Sequence, residues 1–395
     1  MKNLKKMGCV ECRFCKQEED KNQFEYPNNA HKKIQNSLEI SLHNKSKNIN
    51  NNGNNNDNKS NTFLQDFEEK IKFIGQFNSE EEFESMIPEE VKNFIKNEPF
   101  PFGLNNNHSY KAKPVEFDNG NIYFGEWNED FEMDGYGKYY LKDEKVLAEG
   151  IWEKGELKKA RIFYPNGDFY EGEIDNSIYN GKGKIITQNK DEYIGEFVDG
   201  EKNGEGKIIF SDDKTEYIGN FEKNNFSGTG NIKWTNGVEY KGKFKDNCLE
   251  GEGVLFNNDG EKYEGNFEKN LFHGKGKYTY LNGDEYEGNF EYGIRKGKGI
   301  YRKQDGFFFE GMWDNNVPNG YGKIIINDNV IKCNFHNGKR IDEQLNEKIT
   351  YNENIDYNFY NEPMSLSSQK LSHLENVDIM SSQYKAGSKI SFLDD

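Results

Sequence analysis

Whatever chemistry this chain performs must come from a short stock of residues. Six histidines stand apart at His31, His43, His108, His273, His336 and His373, and no HExxH pair sets two of them on one helix face. No Gly-x-x-x-x-Gly-Lys-Ser/Thr loop offers backbone amides to a phosphate. Glu264 and Glu287 belong to a recurring Tyr-Glu-Gly-Asn-Phe string. Two carboxylates can share glycosidase work, but a ladder of like carboxylates reads more simply as a solvated sheet face. The Gly-x-Gly pairs lack the strand-to-helix context of a dinucleotide site. No catalytic residue, cofactor or metal is assigned, and the expectation is a protein without enzymatic activity.

Two clusters remain. Cys9, Cys12 and Cys15 lie three residues apart in MKNLKKMGCVECRFCK. Zinc takes four ligands, usually as separated pairs, and a cluster-binding run would need a cysteine where Glu19 stands. Met7-Gly8-Cys9 resembles the start of dually acylated proteins, in which a glycine such as Gly8 is myristoylated and nearby cysteines are palmitoylated. Gly8 is internal unless translation begins at Met7, and Cys12 holds the usual Ser/Thr position. Lys2, Lys5 and Lys6 would support an anchor. Acylation and an inert leader are the two main readings, with a metal or cluster site the third. The other cluster, Arg295, Lys296, Lys298, Arg302 and Lys303, is a basic patch in an acidic chain. It reads as solvated turn charges or as a site for a phosphoinositide or an acidic partner.

The elements that must position these residues follow from composition and repetition. The chain has 395 residues, a net charge of −17, a hydrophobic fraction of 33% and an aromatic fraction of 14%. Tyr and Phe, more than aliphatic residues, must supply the core, and the acidity argues against nucleic acid. No apolar run reaches the roughly 18–20 residues of a membrane span, and no secretory signal is expected. With no disulfide framework, a cytoplasmic setting is the default. Aromatic-x-Gly-x-aromatic recurs at Tyr123–Trp127, Tyr193–Phe197, Tyr217–Phe221, Tyr240–Phe244, Tyr263–Phe267, Tyr286–Phe290 and Phe309–Trp313, with Tyr170–Ile174 a close variant. A Gly-x-Gly follows each of these anchors, as in Gly274/Gly276 after Tyr263–Phe267.

Period two puts Tyr263, Gly265 and Phe267 on one face of a strand and Glu264 and Asn266 on the other. Each repeat is therefore a hairpin with an aromatic-and-glycine face and a charged face. Glycine is costly in a strand, so a neighbouring ring is expected to lie over the bare backbone. Asn-Gly or Asp-Gly pairs such as Asn282–Gly283 mark tight turns between units. The pattern Tyr-Glu-Gly-x-Phe, six residues, then Gly-x-Gly resembles the MORN repeat (membrane occupation and recognition nexus). The resemblance covers about residues 115–340, with eight good units and two degenerate ones, at Gly150 and around Cys333.

The fold expected is mainly β, an elongated single-layer antiparallel sheet of stacked hairpins. Its divisions are a leader (1–27), an Asn-rich disordered linker (28–61), a helical N-terminal cap (62–114), the repeat array (115–340) and a polar tail (341–395). Helical spacing of Phe63, Phe67, Ile71 and Ile74, and a Ser79/Glu82 capping pattern, place helices that cover the N-terminal sheet edge. The family implies a scaffold for protein partners, at a membrane or a cytoskeletal, including ciliary, structure, with peripheral membrane contact. The rival readings are a regulatory subunit of a lipid kinase or other enzyme and a phosphoinositide-binding adaptor. A single layer leaves one face open, so Tyr193, Phe197, Tyr217, Phe221, Tyr240, Phe244, Tyr263, Phe267, Tyr286, Phe290 and Trp313 are expected to line a partner-binding groove.

Overall fold

The structure, a computed structural model, describes residues 75–103, 110–326 and 328–341. The leader, the Asn-rich linker and nearly all of the tail lie outside these residues. So do the four apolar positions from Phe63 to Ile74. The described chain is mainly antiparallel β, with two short helices.

Two compact units divide it: among the described residues the first runs through Lys158 and takes in the turn Asp175–Ile178, and the second takes Lys159–Ile174 and the chain from Tyr179 onward. In the first unit, Gly75–Phe77 pairs with Val115–Phe117, which pairs with Ile122–Trp127. Met133–Leu141 and then Val146–Glu153 follow. Gly75–Phe77 is thus a strand where helix was expected. Helix α1 (Glu80–Met86) begins where the capping pattern put it, with the Ser79 hydroxyl accepting from Glu82 N at 3.0 Å. Helix α2 (Glu89–Asn97) starts behind Pro88. Among the described residues Gly75–Phe77 is itself the outermost strand beside Val115–Phe117. Helix α1 instead lies on a sheet face, with the Phe83 ring 5.6 Å from that of Phe124.

From Phe169 to Arg302 each repeat has a seven-residue first strand, such as Lys262–Glu268, and a nine-residue second strand, such as Leu271–Thr279, while the second strand of the last matched repeat, Val317–Ile326, has ten. Register accounts for the difference. Gly265 faces Gly276, but Asn266 faces His273, so Gly274 and Lys275 are left out of that pairing. The two bulged residues pair instead with Phe290 and Asn289 of the next repeat. Gly274 has φ +62, which suits glycine at a bulge.

Turn chemistry differs from expectation. The two-residue type I′ turns lie within repeats and use Lys269 (φ 48) with Asn270 (φ 68), or Asn315 (φ 48) with Asn316 (φ 70). The Asn-Gly turns between repeats are longer. Tyr280 N donates to Asp284 O, Gly283 N donates to Tyr280 O, both at 2.9 Å, and only Gly283 is left-handed.

Both ends of the hairpins are stitched to the next repeat. Asn270 Oδ1 accepts from Leu249 N at 2.7 Å, while Asn270 N donates to Leu249 O at 3.1 Å. Asn224, Asn247 and Asn316 grip Lys202, Phe226 and Arg295 in the same way. At the opposite end Asp191 accepts from Ser211 N at 2.7 Å, and Asp284 accepts from Gln304 N at 3.1 Å.

Candidate functional site: the two faces of the hairpins

The inner face is built from the tyrosine outward. Tyr263 is fully buried and Phe267 is 3% exposed. The Tyr263 ring lies across the facing glycines. A Cβ on Gly276 would come within 2.6 Å of its ring carbons, and one on Gly265 within 2.7 Å of its hydroxyl. That hydroxyl donates to Asn266 O at 2.8 Å. Tyr123, Tyr193, Tyr217, Tyr240 and Tyr286 make the same bond to the residue three positions on. Burial pushes the hydroxyls of this ladder well above the ordinary tyrosine range.

Neighbouring repeats lock the rings together. Tyr263 stacks on Phe272 at 3.8 Å and meets Phe267 and Phe290 edge-on at 5.1 and 5.2 Å. The eleven residues expected to line a groove are 0–3% exposed. They form the core and are not an open recognition surface. Rings that lie down on glycine seal the face without a second layer, which the single-layer argument missed.

The second residue of each nine-residue strand fills a slot beside this spine. It is Tyr179, Phe226, Leu249 or Phe272 in some repeats, but Lys202 or Arg295 in two others. Arg295 is 0% exposed. It donates to the Tyr280 hydroxyl at 2.9 Å and to Asn316 O at 2.5 Å, and it lies 4.7 Å from the Trp313 ring centre. The basic patch is therefore not a cluster. Arg295 points inward, Lys296 and Lys298 are exposed, Arg302 pairs with Glu287 at 3.1 Å, and Lys303 stands over the Phe307 ring. The alternation of a strand separates Arg295 from Lys296. Lys202 is 6% exposed, and burial pushes its amine down to about 8.

The outer face carries most of the charge. Lys277 pairs with Glu285 at 2.7 Å, Lys323 with Glu310 at 2.8 Å and His273 with Glu268 at 3.3 Å. Such exposed pairs contribute little stability but present polar groups to a partner. In the first unit this face is covered. Phe83 of α1 is fully buried, Glu84 reaches Lys138 at 3.3 Å, and Ile122 is 0% exposed. Phe124 lies on the face opposite Tyr123, so α1 sits on the outer side.

Among the described residues no group of three or more His, Cys, Asp or Glu side chains could hold a metal ion, and no helix is long and apolar enough to cross a membrane. Gly8, Cys9, Cys12 and Cys15 lie outside them.

A search of curated proteins found no match. Among solved structures, the TCP10 domain of Danio rerio CPAP, in complex with a STIL peptide, aligns at 13% identity and TM-score 0.26, over 49% of this chain and 80% of that one. The TCP domain of Drosophila melanogaster SAS-4, with a proline-rich motif of Ana2, aligns at 14% identity and TM-score 0.20, over 44% and 82%. Likenesses this weak do not bear on function. The MORN repeat family matches residues 170–192, 193–215, 217–239, 263–285, 286–307 and 309–329. The hairpin between the third and fourth matches has the same geometry, with Tyr240 bonded to Lys243 O at 2.9 Å across Gly242 and Gly253. With ring and glycine pair repeating in register with all six matches, and the hydroxyl bond in the five that begin on tyrosine, residues 170–329 carry six MORN repeats.

Proposed function

We propose that this protein is a repeat scaffold without chemistry of its own, which gathers protein partners on the outer face of its hairpins. Its setting is cytoplasmic, at a membrane or a cytoskeletal, including ciliary, structure. One observation carries the reading: α1 already uses the outer face as a docking platform, with Phe83 buried on Phe124 and Glu84 joined to Lys138. The inner face has no room for a partner, because its rings contact one another. A phosphoinositide site centred on Arg295 would need a guanidinium that is instead bound to Tyr280 and Asn316.

The test is proximity labelling of the tagged protein in its own cell, followed by co-purification. Partners that survive purification, and are lost when outer-face side chains are reversed in charge, support the scaffold reading. A catalytic chain recovered in stoichiometric amount would make the protein a regulatory subunit. Turnover of a substrate by the purified chain alone would overturn the reading.

A further inference from the structure

Four isoleucines gather on the outer face of the second unit, on four successive strands. Lys207 faces both Ile194 and Ile218, and Glu192 faces both Ile186 and Ile209. Cross-strand and diagonal neighbours of this kind lie within side-chain reach. Ile194 and Ile218 are each 48% exposed, and Ile186 and Ile209 are half-buried. Further along, the position of Ile194 and Ile218 is taken by Lys241, Glu264, Glu287 and Glu310, so the patch is local.

The first unit shows what such a patch accepts. There the same strand position is Phe124, and the residue facing it, just after the second glycine, is Lys138. Helix α1 covers both, Phe83 against Phe124 and Glu84 against Lys138. Lys184 and Lys207 hold the position of Lys138 in their own repeats, each just after Gly183 or Gly206 and each facing Ile194. They are 33% and 41% exposed, and they bond Glu192 and Glu216 at 3.1 and 3.2 Å. An ammonium has three donors, so each lysine can take a second carboxylate.

We propose that Ile186, Ile194, Ile209 and Ile218, with Lys184 and Lys207, form the docking site for an acidic amphipathic helix of a partner protein, seated as α1 is seated on Phe124. The occupant presents one large apolar side chain to Ile194 and Ile218 and an adjacent carboxylate to Lys207 or Lys184. This names a site and a partner chemistry for the scaffold reading and rests on it.

The experiment titrates the full chain, with isoleucine δ-methyl groups labelled for NMR, with a peptide of residues 79–97 as the probe helix. The methyl signals of Ile186, Ile194, Ile209 and Ile218 should shift and saturate. Ile122, buried in the first unit, should stay constant. Lys207→Glu should weaken the probe about two- to fivefold, and Phe83→Ala in the peptide should abolish the shifts. Ile194→Asp with Ile218→Asp should abolish them too, with the remaining methyl signals reporting that the fold is intact. No shift at millimolar peptide, or shifts that persist in the double variant, overturns the proposal. Partners that co-purify equally with wild type and the double variant would leave the scaffold reading standing while removing this site.

Discussion

The hydroxyl of Tyr263 reaches over Gly265 to donate to the backbone carbonyl of Asn266 at 2.8 Å. One side chain thereby satisfies a carbonyl beside the bulge, covers two glycines and supplies the core between two repeats. The glycine is required because the ring lies where its side chain would be, and the ring lies flat because the glycine is bare.

Substituting the glycine should therefore cost far more than substituting its neighbour. A Cβ at Gly265 would stand 2.5 Å from Gly276 Cα and 2.7 Å from Lys275 O, both backbone atoms that cannot swing away. Gly265→Val should destabilise by about 2–4 kcal/mol. Glu264→Val, on the outer face, should cost under about 1 kcal/mol. Thermal melts of the two variants decide it, and equal shifts would refute a one-sided core.

The ladder bond can be tested in both directions. Tyr263→Phe keeps the ring and leaves Asn266 O without its donor, at a cost of about 0.5–1.5 kcal/mol. In the last matched repeat the ring position is Phe309, which lies over Gly311 and Gly322. Phe309→Tyr should be neutral or stabilising by up to about 1 kcal/mol, because Met312 O gains a donor. Urea denaturation midpoints measure both.

The turn clamp separates hydrogen bonding from backbone strain. Asn270→Gly tolerates φ 68 and loses the bond from Leu249 N, so about 1 kcal/mol should be lost. Asn270→Ala loses the same bond and adds the strain of a left-handed residue, and should be worse by a further ~1 kcal/mol. Gly200 and Gly293 already occupy this turn position in two repeats, so the glycine variant should fold normally. If the two variants melt alike, the left-handed turn is not the constraint.

Stability should have a maximum in mild alkali. Lys202 is pushed from 10.5 to about 8 by burial, so its folded pKa is the depressed one. The penalty for burying its charge is constant below pH 8 and is relieved as pH rises toward 10.5, a gain of about 3 kcal/mol. The ladder tyrosines have the opposite sign. Their folded values are raised above 10.0, so their contribution is complete below pH 10 and is lost above it. Lys202→Met should remove the rising limb, stabilise the protein near pH 7 and leave the alkaline collapse unchanged. Melting temperature against pH, for both proteins, reads out the two limbs.

Much of this architecture can be read from single residues. Period two assigned Tyr263, Gly265 and Phe267 to one face, the glycine pair called for a ring above it, and Ser79 with Glu82 marked the start of α1. These are local properties, set by alternation along a strand and by a side chain reaching its own backbone. The bulge at Gly274 and the type I′ turn at Lys269–Asn270 were not legible, because both depend on register with a neighbouring strand. Whether the rings stood open or closed was also beyond one repeat, since Tyr263 is sealed by Phe272 of its own hairpin and Phe290 of the next. The same limit misled the reading of Arg295. Beside Lys296 in the chain it looked like part of a basic patch, yet the slot it fills is shaped by Tyr280, Trp313 and Asn316, residues 15 to 21 positions away that meet only when the hairpins stack. Period and facing are carried by the chain itself, whereas exposure depends on what packs against each face.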